Sequence, residues 1–137
     1  MTDAEHLSAL RRIGWRDEHL PAAPFVDAKL ARVIVQHRNA FETHDGREVL
    51  WARTKSSARR KDVEDAVRPS VGDWVWMSAA INDEWQIESL LPRHSQLRRL
   101  AAGESGREQI IAANIDTELL VCGLDGDFNP KRIERYL

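Results

Sequence analysis

Residues 30–53, LARVIVQHRNAFETHDGREVLWAR, decide the fold. The run 30–37 is rich in β-branched residues, 40–44 alternates apolar with polar side chains, and 49–53 supplies a third strand-like run. The Asp45-Gly46 pair favours a type I′ turn between the second and third runs, because both residues tolerate positive φ. The stretch therefore predicts three antiparallel strands in a meander.

Two further strands follow this meander. Residues 73–78 and 85–91 form strand-like runs joined through residues 81–84, which predicts a second hairpin. The second strand of this hairpin is expected to place four residues on one face: Trp85, Ile87, Ser89 and Leu91. The charged segment 55–69 separates the two groups of strands and predicts one or two helical turns.

The order of these elements predicts the fold class. Three consecutive strands, a helical connection and two more strands match a five-stranded OB-fold barrel, with its helix between the third and fourth strands. An SH3-like barrel is the alternative, in which segment 55–69 is a loop. The predicted class is mainly β, with the barrel over residues 29–92.

The barrel is preceded by a helix and an extended leader over residues 1–28. Leu7 and Leu10 recur at helical spacing, and Gly14 is placed to end the helix. After the barrel, residues 93–109 are expected to form a linker.

The last part of the sequence, residues 110–137, has a different pattern. Its run 119–124 is apolar at nearly every position, and Asn129-Pro130 is typical of a helix start. This pattern predicts the first β-α unit of a truncated α/β domain, with Cys122 as a buried, inert thiol. Asp125 and Asp127 lie between the expected strand and the expected helix, a position that favours roles in a turn and a helix cap over acid–base catalysis. Without neighbouring strands, the unit is expected to be exposed or to self-associate.

Composition narrows the class of protein. The 137 residues are 42% hydrophobic and 31% charged, and no apolar run approaches the ~20 residues of a membrane helix. The acidic N-terminus does not resemble a signal peptide, and a single cysteine excludes an internal disulfide. We therefore expect a cytoplasmic chain with no membrane partner.

Charge is unevenly distributed along the chain. The net charge is −2, but residues 29–107 carry 14 basic and 11 acidic side chains, whereas both flanks are acidic. Four of the five tryptophans fall in the same basic section. Cations and aromatic rings therefore share this section of the chain, a combination typical of nucleic-acid binding.

Five short motifs occur in a fixed order between residues 29 and 137. They are RVI with QHR at 32–38, VGDWV at 71–75, LPRHS at 91–95, QIIAANIDT at 109–117 and LDGDFNPKRIERYL at 124–137. In this order they resemble the RsgA (YjeQ) family of small ribosomal subunit biogenesis GTPases. The last motif is the most specific, whereas Gly-Asp-Trp-Val alone is weak.

This resemblance implies a parent protein with three parts: an OB domain that binds rRNA of the small (30S) subunit, a circularly permuted GTPase domain and a zinc-binding domain. The parent would use GTP, Mg²⁺ and structural Zn²⁺. The seven glycines of this chain never form a P-loop spacing beside Lys-Ser or Lys-Thr. We therefore expect no cofactor, no metal and no GTP hydrolysis from this chain alone, and a role in docking the parent for late subunit maturation.

The predicted RNA-binding residues fall into two groups. The first surrounds the third strand, where Trp51 is a candidate for base stacking and the cations are phosphate ligands: Arg53, Lys55, Arg59, Arg60 and Lys61. The second follows the barrel and consists of Arg93, Arg98 and Arg99, which would extend the RNA surface or contact the GTPase domain of the parent.

The sequence also allows other roles for the first group of cations and for the barrel. The first group of cations would instead be a solvated turn paired with Asp62, Glu64 and Asp65. The whole barrel would then be a protein-interaction module, or the chain a stand-alone nucleic-acid-binding OB protein. Trp74 and Trp76 are expected to pack in the barrel or against the leader helix, and the scattered histidines predict no metal site.

Overall fold

The computed structural model describes residues 2–54, 68–79, 81–100, 108–126 and 128–134. The helical turns expected within 55–69 lie almost entirely outside these ranges. The elements are α1 (Asp3–Arg12), β1 (Lys29–Gln36), β2 (Phe41–His44), β3 (Val49–Thr54), β4 (Trp74–Ala79), β5 (Trp85–Leu90), β6 (Gln96–Leu100), β7 (Glu108–Ala113) and α2 (Pro130–Glu134). None of the helices among the described residues is long and apolar enough to cross a membrane.

Strands β1 to β5 close into a barrel in the order β1-β2-β3-β5-β4. Every neighbouring pair is antiparallel except β3 and β5, which run parallel. This order is that of the OB fold. The predicted class, a mainly β chain with a five-stranded barrel and a short N-terminal helix, is confirmed.

The barrel interior is filled by alternate residues of its strands. The buried members are Ala31, Val33, Phe41, Ala52, Val75, Met77 and Ile87. Period-two alternation places these apolar side chains inward and leaves their neighbours outside.

One expected face of the second hairpin is wrong. The β4–β5 register shifts between Trp76, which pairs with Ser89, and Met77, which pairs with Ile87. The extra residue reverses the alternation after Ile87. Leu90 consequently packs against the core, and Ser89 is exposed.

A second apolar cluster attaches α1 and the leader to the outside of the barrel. Leu10 and Trp15 pack with Leu30 and Trp74. The rings of Trp15 and Trp74 meet edge to face, with centroids 4.9 Å apart. Trp74 is therefore a buried packing residue, as expected, and its partner is the leader.

The β2–β3 turn differs from the expected type I′ turn, because four residues, 45–48, separate the strands. The Asp45 carboxylate accepts hydrogen bonds from the backbone N–H groups of Arg47 (2.9 Å) and Glu48 (3.0 Å). Only Gly46 in this turn has positive φ, +92°. The aspartate side chain thus organises a longer turn than the sequence pair suggested.

The expected linker 93–109 contains β6, which pairs antiparallel with β7 in a two-stranded sheet. The sequence did not predict β6 because its residues are polar or basic at most positions and four of its five side chains are exposed. The expected β-strand at 119–124 is also absent from the structure, and those residues, Cys122 included, are exposed. Helix α2 does begin at Pro130, with the Asn129 side chain accepting from Lys131 N–H at 3.0 Å.

The two-stranded sheet is tied to the barrel by a junction built on Arg32, Gly72 and Asn114. Arg32 donates to the carbonyls of Ile13 (2.6 Å), Asn114 (2.8 Å) and Gly72 (3.3 Å). The Asn114 side chain, 4% exposed, also donates to Gly72 O at 3.0 Å. Leader, barrel and sheet are thereby joined at one point.

Gly72→Ala is expected to destabilise the protein by at least about 2 kcal/mol. Gly72 has φ +94°, and a Cβ there would overlap the carbonyl oxygen of Ala113. Gly126→Ala is the matched control, because nothing lies within 4 Å of the position of its Cβ. Urea unfolding of both variants measures the difference; equal midpoints would show that the junction tolerates a side chain at residue 72.

The charge of Asp45 predicts a pH dependence of stability. Burial raises the pKa of the Asp45 carboxyl, but hydrogen bonds from Glu48 and Arg47 N–H and from Lys29 outweigh it and hold the pKa below its ordinary value. A lowered folded-state pKa stabilises the protein above the unfolded value, and this stabilisation is lost as pH falls through the folded value. Asp45→Asn should therefore cost about 1 kcal/mol near pH 7, and this cost should shrink below about pH 4. Unfolding free energies at several pH values test this, and a pH-independent difference contradicts it.

Candidate nucleic-acid interface

The outer face of β2 and β3 carries an exposed aromatic pair. Trp51, on β3, is 50% exposed and stacks on His37, with ring centroids 5.0 Å apart and planes 22° from parallel. Glu42 pairs with Trp51 in the β2–β3 register, and its carboxylate lies 2.8 Å from His37 Nε2. We call His37 and Trp51 the aromatic platform.

The alternation of β3 explains why the platform faces outward. Ala52 is buried and Leu50 packs against the core, so Val49, Trp51 and Arg53 must point to the opposite side. His37 follows β1 directly, and its backbone N–H bonds to Ala40 O at 2.8 Å, closing the loop to β2. This loop brings the imidazole over the indole.

Arg53 extends the same face. It donates through Nε and an η nitrogen to the Glu84 carboxylate, at 2.8 and 3.2 Å, and its side chain is 49% exposed. Exposed pairs of this kind contribute only about 0–1 kcal/mol. Arg53 can therefore exchange this carboxylate for a phosphate at small cost.

The other predicted cations of the first group, Lys55, Arg59, Arg60 and Lys61, lie outside the described residues. They follow Thr54, the last residue of β3, in the sequence.

Arg93 has a different environment from the one its predicted RNA role requires. Its guanidinium makes a two-point contact with the Asp73 carboxylate, at 2.7 and 2.6 Å, and the Asp73 side chain is fully buried. The hydrogen bonds that Arg93 donates to the Asp73 carboxylate raise the pKa of Arg93 against the opposing effect of burial. The Asp73 carboxylate also accepts from Ser70 N–H at 2.8 Å. Arg93 thus has a structural partner.

Arg98 and Arg99 lie on β6, apart from the barrel strands. Arg98 pairs with Glu108 of β7 at 2.6 Å, and Arg99 is 3.4 Å from the Gln109 side-chain oxygen. Both contacts cross the two-stranded sheet, and the RNA role of these arginines stays a prediction. Within the described ranges, no group of His, Cys, Asp or Glu residues is arranged to hold a metal ion.

Sequence reasoning missed His37 and Glu42 as neighbours of Trp51. The predicted β2–β3 pairing of the meander could have indicated that Glu42 lies beside Trp51. Once residues 41–44 pair with 49–52, position 42 falls opposite position 51.

The barrel and its exposed platform define a small OB-type module, and similar proteins identify its family relationship. No family model matches the chain. A protein of Xylella fastidiosa (strain M23) is 43% identical over 136 residues, covering 93% of this chain and 40% of that protein. One of Xanthomonas campestris pv. campestris (strain B100) is 42% identical over 137 residues, covering 93% and 36%.

Both relatives are named small ribosomal subunit biogenesis GTPase RsgA. The chain is thus homologous to RsgA proteins over 93% of its length, and the resemblance seen in the sequence is confirmed. It spans about 40% of the length of these curated relatives.

Solved structures with some similarity include YjeQ from Thermotoga maritima, with 20% identity, a TM-score of 0.47 and coverage of 65% of this chain and 28% of that one. YloQ, a circularly permuted GTPase, has 17% identity, a TM-score of 0.42 and coverage of 57% and 27%.

Arg93→Ala should destabilise the protein by about 3 kcal/mol, because it leaves the Asp73 carboxylate buried without its cation. Arg99→Ala removes the same charge from an exposed side chain and should change stability by less than about 0.5 kcal/mol. Chemical denaturation of the two variants measures the contrast. A stable Arg93→Ala protein with weakened RNA binding would instead establish Arg93 as an RNA ligand.

Proposed function

We propose that the barrel binds small-subunit rRNA and so docks a ribosome biogenesis GTPase on the 30S subunit during late maturation. GTP hydrolysis, with GTP and Mg²⁺, and a structural Zn²⁺ would belong to parts of the parent protein other than this chain. The proposed subcellular location is the cytoplasm, where ribosomal subunits are assembled.

The observation that carries the proposal is the exposed aromatic platform. A tryptophan of this size is normally largely buried, yet Trp51 is half exposed on the strands that OB folds use for nucleic acids. A base stacked on such a ring contributes about 1–3 kcal/mol. Trp51, already stacked on His37 with the ring planes 22° apart, offers an aromatic surface that a base can extend.

Electrostatics supports the same ligand. Arg53 lies two positions beyond Trp51 on the same face of β3, and the cations Lys55, Arg59, Arg60 and Lys61 follow in the sequence. Phosphate contacts by such residues attract RNA of any sequence and make binding sensitive to salt. Stacking would then select unpaired bases within the attracted RNA.

A protein-docking role is the second candidate, and the carboxylates on this face favour it. Glu42 is bonded to His37, and Glu84 to Arg53, so each described polar group of the platform already has a partner. In this case the platform would bury against a protein surface, and RNA affinity would not depend on it.

Trp51→Ala should weaken binding of a fluorescein-labelled 12-nucleotide oligouridine by about 5- to 100-fold, the equivalent of one stacked base. Trp51→Phe should retain most of the affinity, because it keeps an aromatic face. Fluorescence anisotropy in 100 mM KCl measures the affinity of both variants for the oligouridine. Sedimentation with 30S subunits measures their binding to the proposed physiological partner.

A control variant with the same loss of positive charge at a different place distinguishes the effect of position from the effect of net charge. Arg59→Ala/Arg60→Ala should flatten the dependence of affinity on salt, whereas Lys131→Ala/Arg132→Ala removes two exposed cations of α2 and should leave it unchanged. RNA affinity that is insensitive to salt and unchanged in Trp51→Ala would refute the RNA role. Retained 30S association in that case would establish the protein-docking candidate.

A further inference from the structure

A cleft lies where helix α1 meets the β2–β3 turn. The contact is close, because a Cβ on Gly46 would come within 2.7 Å of the Ala9 backbone. The Asp45 side chain fixes the turn through its bonds to Arg47 and Glu48 N–H. The two walls of the cleft are therefore held in place before any ligand arrives.

The cleft is open and polar, with a volume of about 430 Å³. Its lining residues are Ala4, Glu5, Ser8, Ala9, Arg12 and Arg47. Arg12 ends α1 and Arg47 lies in the turn, so residues 35 positions apart in sequence bring two guanidinium groups to one cavity. Ser8 adds a hydroxyl donor beside them.

Arg12 and Arg47 have no side-chain hydrogen-bond or ion-pair partner among the described residues. Arg16, Arg32, Arg53, Arg93 and Arg98 are all engaged by carboxylates or carbonyls. For Arg12 and Arg47, no side-chain hydrogen bond or ion pair is formed within the ranges that the structure covers. Their guanidinium groups remain available to a ligand.

Glu5 does not cancel this charge. Its carboxylate accepts from Thr2 N–H at 2.9 Å in a capping box, and Thr2 Oγ1 accepts from Glu5 N–H at 3.3 Å. Hydrogen bonds from Thr2, with a smaller contribution from Arg47, lower the pKa of the Glu5 carboxyl. One carboxylate committed to the helix cap thus faces two cations, which leaves the cleft with an excess of positive charge.

We propose that this cleft binds a backbone phosphate of the RNA, as a contact separate from the aromatic platform. Guanidinium groups present paired donors that match phosphate oxygens, and two of them give a site that a single lysine cannot. The proposal rests on the RNA-binding function, since the ligand is the same molecule.

Geometry allows one RNA to reach both places. Arg47 and Trp51 are four residues apart in the chain, which limits their backbone separation to about 14 Å. OB folds engage about 4–16 nucleotides, so one short strand stacked on Trp51 can place a phosphate in the cleft.

The test compares the salt dependence of oligouridine binding in the full chain. Each lost phosphate contact with a single strand should reduce the slope of log affinity against log salt by about 0.7. Arg12→Ala/Arg47→Ala should reduce the slope by about 0.7, the equivalent of one phosphate, and weaken binding, whereas Arg12→Lys/Arg47→Lys should restore most of the slope. Lys131→Ala/Arg132→Ala is the charge-matched control.

Other outcomes separate this site from the platform. If Trp51→Ala weakens binding but Arg12→Ala/Arg47→Ala behaves like the α2 control, the cleft proposal fails and the RNA function stands. If only the cleft variant weakens binding, the cleft stands and the platform fails. NMR shifts of the Arg12 and Arg47 Nε–H signals with inorganic phosphate, without any change in RNA slope, mean adventitious anion binding and overturn the proposal.

Discussion

The half-buried guanidinium of Arg32 is the interaction on which the arrangement of the three parts depends. It donates to backbone carbonyls of the leader, the barrel and the residue after β7, and its cation lies 5.6 Å from the centre of the Trp74 ring. Burial, together with repulsion from Arg16, lowers the pKa of Arg32. The environment of Arg32 therefore destabilises its charged form. Three carbonyl acceptors and an aromatic face offset that cost, which requires the three segments to remain together.

That junction also determines which parts of the barrel are left for ligands. The leader, through Leu10 and Trp15, covers the outer side of β1 and β4 by packing on Leu30 and Trp74. Within the part of the chain that the structure describes, the leader does not reach the outer side of β3, where Trp51 is exposed. Two tryptophans of the same barrel therefore have opposite roles, Trp74 as a packing residue and Trp51 as an exposed surface, because the leader reaches only one of them.

The sequence predicted the barrel strands because their alternation reflects a core with one buried face, as the sequence around Val33, Ala52 and Val75 shows. It did not predict the junction, since a buried Asn114 with φ +54° depends on contacts with Gly72, 42 residues away. The strand Gln96–Leu100 was missed because its exposed basic residues resemble a linker. Within the site, Trp51 and Arg53 could be chosen by spacing alone, whereas the stack on His37 required the strand register.

For the proposed RNA-binding role, the charged residues around the barrel indicate different positions for the phosphates and the bases of the RNA. The carboxylates of Glu42 and Glu84 lie beside the platform, and they would repel a phosphate there unless it displaces Glu84 from Arg53. If the barrel binds RNA as proposed, long-range attraction would come from the cations that follow β3 in the sequence and from Arg12 and Arg47 in the cleft. A ring bordered by carboxylates favours the neutral base over the charged backbone. In the proposed complex, phosphates would therefore point away from the platform and bases towards it, which is the orientation that stacking on Trp51 requires.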